Sequence, residues 1–220
     1  MNKKYPFNKE TFHLKKKLVE IIYNGAKIEI NNITFLETEK IVNNISSCGR
    51  NPAEVQVVLN LKHASEYILS TKDSGLELLK NINKYVSYQE SLEWGVLRDG
   101  LVGVSGIDSK ILIPKEEEIK DIINSDLDHY EKMLELIVRQ PFWDGNKRTA
   151  YLYTLLENFR DNGEIFNLEI NTFANDLHEK YMESYESIEN KIDDAKKKSI
   201  QLNSHKDKTI SCDSNENLER

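Results

Sequence analysis

The sequence predicts a mostly α-helical domain interrupted by one short β-hairpin. Apolar residues recur at helical spacing over most of the chain, and capping or breaking residues sit at the ends of those runs. Only between Val96 and Ile113 do glycines (Gly100, Gly103, Gly106) cluster between β-prone stretches.

Leu14, Leu18, Ile21, Ile22 and Gly25 fall on one face of a first helix. Thr34 and Glu37 have capping-box spacing and open a second helix expected to run through Ile41, Val42 and Ile45. Cys48 to Asn51 reads as a break. Asn51 then caps a third helix with Pro52 at its first position and Glu54 in its first turn, carrying Val57, Leu61, Ala64 and Ile68. Gly75 interrupts, and Leu76 to Tyr88 and the stretch from Leu92 onward read as further helix. Leu101 to Val104 and Lys110 to Ile113 flank Ser105 to Ser109 as the two arms of the hairpin. Pro114 with Glu116 to Glu118 starts another helix, since negative charge favours the first turn. After a break at Ser125, Tyr130, Met133, Leu134, Ile137 and Val138 mark one helix, and Leu152, Leu155, Leu156 and Phe159 mark the next, ended by Gly163. Thr172 to Tyr185 is the last packed helix, and from about Ala195 the polar composition reads as a frayed or disordered tail.

The formal charge of −7, from 30 basic and 37 acidic residues, argues against counterion-release binding to nucleic acid and against attraction to an anionic membrane. No apolar run approaches the ~20 residues of a membrane span. Two cysteines, Cys48 and Cys212, indicate no disulfide framework, and the histidines show no zinc spacing. Met1 to Glu10 lacks the apolar stretch of a secretory signal, so a cytoplasmic address is expected.

The most informative stretch runs Gln140-Pro141-Phe142-Trp143-Asp144-Gly145-Asn146-Lys147-Arg148, between two amphipathic helices. Pro141 disfavours α geometry at Gln140 and releases the chain. Phe142 would turn inward as an anchor. Asp144 on the exposed side can hold Mg²⁺ while leaving metal positions for water and phosphate oxygens. Gly145 lets the backbone approach an anion, and the free N–H groups and dipole of the following helix complete an anion site. Asn146 adds a donor or cap, Lys147 a point charge and Arg148 a planar fork. Asp-Gly-Asn between two helices is also an ordinary turn, so the whole string, not that tripeptide, carries the reading.

This string is similar to the signature loop of the Fic/Doc (Fido) family, His-x-Phe-x-Asp/Glu-Gly-Asn-Gly/Lys-Arg, at every named position except the first. Two further segments resemble that family in the same order. Gly25-Ala26-Lys27-Ile28-Glu29, followed by Thr34 to Thr38, looks like its N-terminal inhibitory segment, and Leu97 to Pro114 looks like its β-hairpin flap. The resemblance implies a Fic-fold helical domain with a short flap. It divides the chain into an N-terminal helical segment over 1–50, a Fido core over 51–190 and the polar tail over 191–220. Family members with an intact motif move AMP from ATP to a protein hydroxyl, and the Doc branch, which shares the Asn-Lys-Arg variant, phosphorylates its target. By position, the resemblance implies that Asp144 binds Mg²⁺, that Gly145, Asn146, Lys147 and Arg148 bind nucleotide, that the 101–113 flap receives a target protein, and that Glu29 is inhibitory.

The chain departs from the family pattern at the catalytic position, where Gln140 replaces histidine. An amide cannot accept a hydroxyl proton near neutral pH, and a positioned base is commonly worth ~10²–10⁴-fold. His129, about three helical turns or ~16 Å upstream, is too far to substitute. Tyr151 stands where AMP-transferring members have a second arginine, and Gly25 and Ile30 stand where Ser/Thr and Gly/Asn are usual. The expected function is therefore a protein adenylyltransferase-like activity with Mg-ATP, reduced or altered by Gln140. A catalytically silent nucleotide- or partner-binding regulator, or a Doc-like kinase or toxin–antitoxin component, is the alternative.

Overall fold

In the computed structural model, residues 14–103 and 110–184 are described. The hairpin tip at Ser105 to Ser109, the tail over 191–220 and the first ten residues lie outside them. Residues up to Asp176 form one compact unit and those from Leu177 onward a second.

After a helical turn at 14–16, α1 (Leu18–Lys27) buries Ile21, Ile22, Gly25 and Ala26. The capping box opens α2 (Phe35–Val42): Thr34 Oγ1 accepts the Glu37 N–H at 3.2 Å, and the Thr34 N–H donates back to the Glu37 carboxylate at 2.8 Å. This helix stops at Val42, short of the expected Ile45, which is 69% exposed; Asn44 turns left-handed (φ 56°) and ends it. A second capping box, Asn51 with Glu54, opens α3 (Pro52–Ile68), whose Val57, Leu61, Ala64 and Ile68 are buried. Gly75 does not merely interrupt: it is the first residue of α4 (Gly75–Val86).

The expected helix from Leu92 onward is absent. Gln89 and Gly95 both take left-handed backbone, which α-helix cannot continue through, and Leu92 is fully exposed. The hairpin is present as β1 (Val102–Gly103) and β2 (Lys110–Ile111), antiparallel, with Val102 opposite Ile111 and Gly103 opposite Lys110. Three glutamates begin α5 (Glu116–Ile123). Asp128 accepts the Glu131 N–H at the start of α6 (His129–Arg139). The last long helix of the unit, α7 (Asn146–Asn162), ends on left-handed Gly163, whose N–H donates to the Phe159 carbonyl. Residues 170–176 are again helical in this unit, and 177–184 are helical in the second.

α7 is the spine of the first unit. It packs against α1, α3, α4 and α6, and its buried residues lie all around its axis, as a helix enclosed by others requires. Its N-terminus, unlike its flanks, is left facing a cleft.

An Arg50 cluster ties the turn between α1 and α2 to the start of α3. Its guanidinium holds both Glu37 oxygens (3.2 and 2.9 Å), the Asn32 side chain (2.7 Å) and the Asn32 carbonyl (2.9 Å). Hydrogen bonds from Arg50, then from Thr34, lower the Glu37 pKa from 4.5 to about 2. The stability this confers is fully present above pH 4.5 and is lost as pH falls through about 2. Glu37→Gln is therefore expected to flatten the acid limb of the melting-temperature profile over that window. An unchanged limb would show that other carboxylates govern acid unfolding.

Candidate functional site

The loop between α6 and α7 is built by its neighbours. Gln140 ends α6 in left-handed backbone (φ 48°, ψ 61°), which takes the chain out of the helix ahead of Pro141. Such a conformation is costly for a side-chain-bearing residue and needs support. Asn146 supplies part of it: Oδ1 accepts the Phe142 N–H at 2.8 Å, while Nδ2 donates to the Phe142 carbonyl (2.8 Å) and to Gln140 Oε1 (2.9 Å). Phe142, 1% exposed, is the expected anchor in the core.

Arg98 supplies the rest. Buried and without a carboxylate partner among the described residues, its guanidinium donates to the carbonyls of Gln140, Gly100, Leu112 and Arg139, and its own N–H donates to the Pro141 carbonyl. It thus joins the base of the hairpin to the end of α6. Burial pushes its pKa down from the usual arginine value. On the opposite side Asn83, fully buried on α4, donates to the Asp144 carbonyl (2.9 Å) and to Thr149 Oγ1 (3.1 Å).

Gly145 caps α7 at φ 70°, and a Cβ there would stand 2.8 Å from Val86 Cγ1. Gly145→Ala is expected to destabilise by about 1–3 kcal/mol, from left-handed strain and the forced shift of Val86. Urea denaturation measures this, and a cost near zero would mean the loop re-forms freely.

Glu29, Val102, Gly103, Gln140, Trp143, Asp144, Gly145, Asn146 and Lys147 line one cleft of about 290 Å³. The structure therefore brings together six of the seven residues expected at the site. The N–H groups of Asn146, Lys147 and Arg148 have no hydrogen-bond acceptor among the described residues, as at any helix start, and Gly145 N–H turns to Asp144 Oδ1. Lys147 Nζ stands 3.4 Å from Glu29 Oε2, both side chains about one-third exposed. Glu29 therefore reaches the loop from the end of α1.

Arg148 is not among the lining residues but borders the cleft behind Asp144. It is 1% exposed and gives both Nη atoms to Glu90, at 3.0 and 2.7 Å, with Asp144 Oδ1 at 3.7 Å from Nη2. Burial opposes its charge, and the Glu90 hydrogen bonds and charge outweigh burial and raise its pKa. Tyr151 is fully buried, against Gly25 and edge-on to Phe166, burial raises its hydroxyl pKa, and it is not among the residues lining the cleft. His129 pairs with Asp161 near the other end of α7 (3.2 Å), away from the loop. Glu90, Asn83 and Arg98 were not foreseen. The only signal that could have raised them is an expectation of buried partners for a buried arginine and an irregular loop.

Among the described residues no three His, Cys, Asp or Glu side chains gather to hold a metal. Two carboxylates line the cleft: Glu29, which pairs with Lys147, and Asp144, which stands beside main-chain N–H groups that bind no cation but suit phosphate. This fits a Mg²⁺ that completes its coordination with phosphate oxygens and water.

No protein-family profile matches the chain, and no curated protein matches it. Solved structures do. Fic-1 from C. elegans superposes with a TM-score of 0.61 at 21% identity, over 78% of this chain and 58% of that one. A variant of the same nematode protein gives 0.56 at 20% identity, over 76% and 56%. A Fic family protein from Desulfovibrio desulfuricans G20 gives 0.53 at 18% identity, over 74% and 61%. The chain thus spans less than two thirds of the length of these structures. No helix among the described residues is long and apolar enough to cross a membrane. The helical order, the hairpin beside the loop and these superpositions together show that the chain has the Fic fold.

Proposed function

We propose that the protein binds a Mg-nucleotide at the start of α7 and is adenylyltransferase-like, moving AMP from ATP to a hydroxyl of a target protein at a reduced rate. One observation supports this most. The Asp144 carboxylate, the unpaired N–H groups opening α7 and Lys147 border the same cleft, beside the hairpin. Asp144 would hold Mg²⁺, which offsets phosphate charge when bound. The N–H groups and dipole of α7 would grip phosphate oxygens, and the 101–113 flap, whose Val102 and Gly103 form one wall, would align a target segment by strand pairing. In AMP transfer the hydroxyl oxygen attacks the α-phosphorus, pyrophosphate leaves, and the hydroxyl proton must go to a base. Gln140 can orient the hydroxyl but cannot take that proton. Water must take it instead, and the rate falls.

Glu29 is proposed as inhibitory through Lys147, whose ammonium it engages in place of phosphate. The cytoplasmic address belongs to the same proposal. A second reading, a nucleotide-binding regulator without turnover, is favoured by the placement of Arg148 and Tyr151 outside the cleft.

Calorimetry with ATP and Mg²⁺ tests the common premise. Binding to the wild type that weakens about tenfold in Asp144→Ala is expected. Absence of affinity for every nucleoside phosphate, with or without Mg²⁺, would end both readings.

A further inference from the structure

We infer that Asn83 is a positioning residue for the metal: by holding the Asp144 main chain it sets how tightly the Asp144 carboxylate binds Mg²⁺. The inference rests on the Mg-nucleotide reading above and assigns the residue that stands behind its metal half.

Asn83 stands where the pattern of α4 calls for an apolar side chain. It lies in the buried stripe of Leu78, Leu79, Ile82 and Val86, and all five are at most 1% exposed. An amide in such a stripe is costly unless its polar atoms are matched. Here they are. Oδ1 accepts the Gly95 N–H at 2.8 Å and the Ser87 hydroxyl at 3.1 Å, while Nδ2 donates to the Asp144 carbonyl at 2.9 Å and to Thr149 Oγ1 at 3.1 Å. The main-chain partners fix which end is which, because the Gly95 N–H can only donate and the Asp144 carbonyl can only accept. The amide therefore has one orientation, and its donor faces Asp144.

Asp144 has little else to hold it. Its side chain is 43% exposed, Oδ1 takes the adjoining Gly145 N–H, and Arg148 Nη2 at 3.7 Å is beyond hydrogen-bond reach. Asn146 and Arg98 tie the chain on one side of it, at Gln140 to Phe142. On the other side the first turn of α7 is closed by the Thr149 N–H to the Gly145 carbonyl at 2.8 Å. Between these ties, Asn83 makes the one hydrogen bond to the Asp144 main chain among the described residues. Mg²⁺ demands near-ideal octahedral geometry, so a ligand carboxylate tolerates little displacement. Loss of the group that orients a metal ligand commonly costs about 10–100-fold in metal affinity. The phosphate half of the site is held differently. The N–H groups of Asn146, Lys147 and Arg148 are aimed by α7 itself, so removing the Asn83 amide loosens the carboxylate and leaves them in place.

Calorimetry of the full chain with ATP, in Mg²⁺ and in EDTA, tests this through the ratio of the two affinities. In Asn83→Leu, which fills the same space and completes the apolar stripe, the ratio is expected to fall about tenfold or more. Affinity in EDTA is expected to stay within about twofold of the wild type. Thr149→Val removes the other acceptor of Nδ2 and is expected to keep the wild-type ratio. An unchanged ratio in folded Asn83→Leu overturns the inference. So does an equal loss with and without Mg²⁺, which makes Asn83 part of the scaffold alone, and so does an equal fall of the ratio in Thr149→Val. If Asn83→Leu does not fold, the wild type decides by NMR: the Asn83 side-chain amide signals should move when Mg²⁺ is added to the ATP-bound protein, and unmoved signals overturn the inference. A wild type that binds ATP equally with and without Mg²⁺ ends the metal reading itself, before any variant is compared, and the inference ends with it.

Discussion

Replacing Gln140 with histidine is expected to raise AMP transfer by about 10²–10⁴-fold at saturating ATP, the usual worth of a positioned base. The backbone there is already suitable, because histidine is among the residues enriched in the left-handed region that Gln140 occupies. Its side chain would leave from the cleft wall where the Gln140 amide now stands, next to Asp144. Labelled ATP with candidate targets, or the mass of the purified protein itself, measures the gain. Asp144→Ala in the histidine background should remove it. A Gln140→His protein that binds ATP as the wild type does yet gains no label would show that phosphate geometry, not proton transfer, limits the reaction. Arg148 and Tyr151 would then be the residues to examine.

Glu90→Ala is expected to cost about 3–5 kcal/mol of stability, because it leaves the buried Arg148 guanidinium without its carboxylate. The loss exceeds what the pair itself contributes, since an unpaired buried charge is worse than no charge. Arg148 Nε already lacks an acceptor among the described residues, and the other nearby carboxylate, Asp144 Oδ1, stands 3.7 Å from Nη2, beyond hydrogen-bond reach. Urea denaturation of Glu90→Ala, Arg148→Met and Glu90→Leu/Arg148→Met separates the contributions. The double variant should recover most of the loss, as apolar replacement of a whole buried pair often does. A loss below about 1 kcal/mol for Glu90→Ala would mean that the pair is solvated.

Local chemistry was legible in the sequence, and long-range pairing was not. Thr34 with Glu37, Asn51 with Glu54, and Gly163 act within one turn of where they sit, so their spacing announced the helix ends. Phe142 and the course of the chain after Gln140 followed from a proline and an aromatic between two apolar stripes. The stretch after Leu92 misled because its apolar residues suggested a helix, whereas backbone at Gln89 and Gly95, fixed by tertiary contacts such as the Gly95 N–H to Asn83, decided otherwise. The site shows the same division. Asp144, Gly145 and Lys147 were readable as a contiguous string. Glu90, the partner that holds the Arg148 guanidinium, lies 58 residues away, and the clamp Asn83 lies 61 residues from Asp144; no spacing rule links either pair.

The fit of α1 over Tyr151 limits what can stand at position 151. Gly25 leaves so little space that a methyl group there would meet Leu61 at 2.9 Å, and Tyr151 fills the floor beneath it. An arginine introduced at 151 would arrive in a fully buried position, where an ionised group without a close partner is costly. A cation at 151 would therefore require helix and floor to be remodelled together, and no single substitution at that position can deliver one to the start of α7.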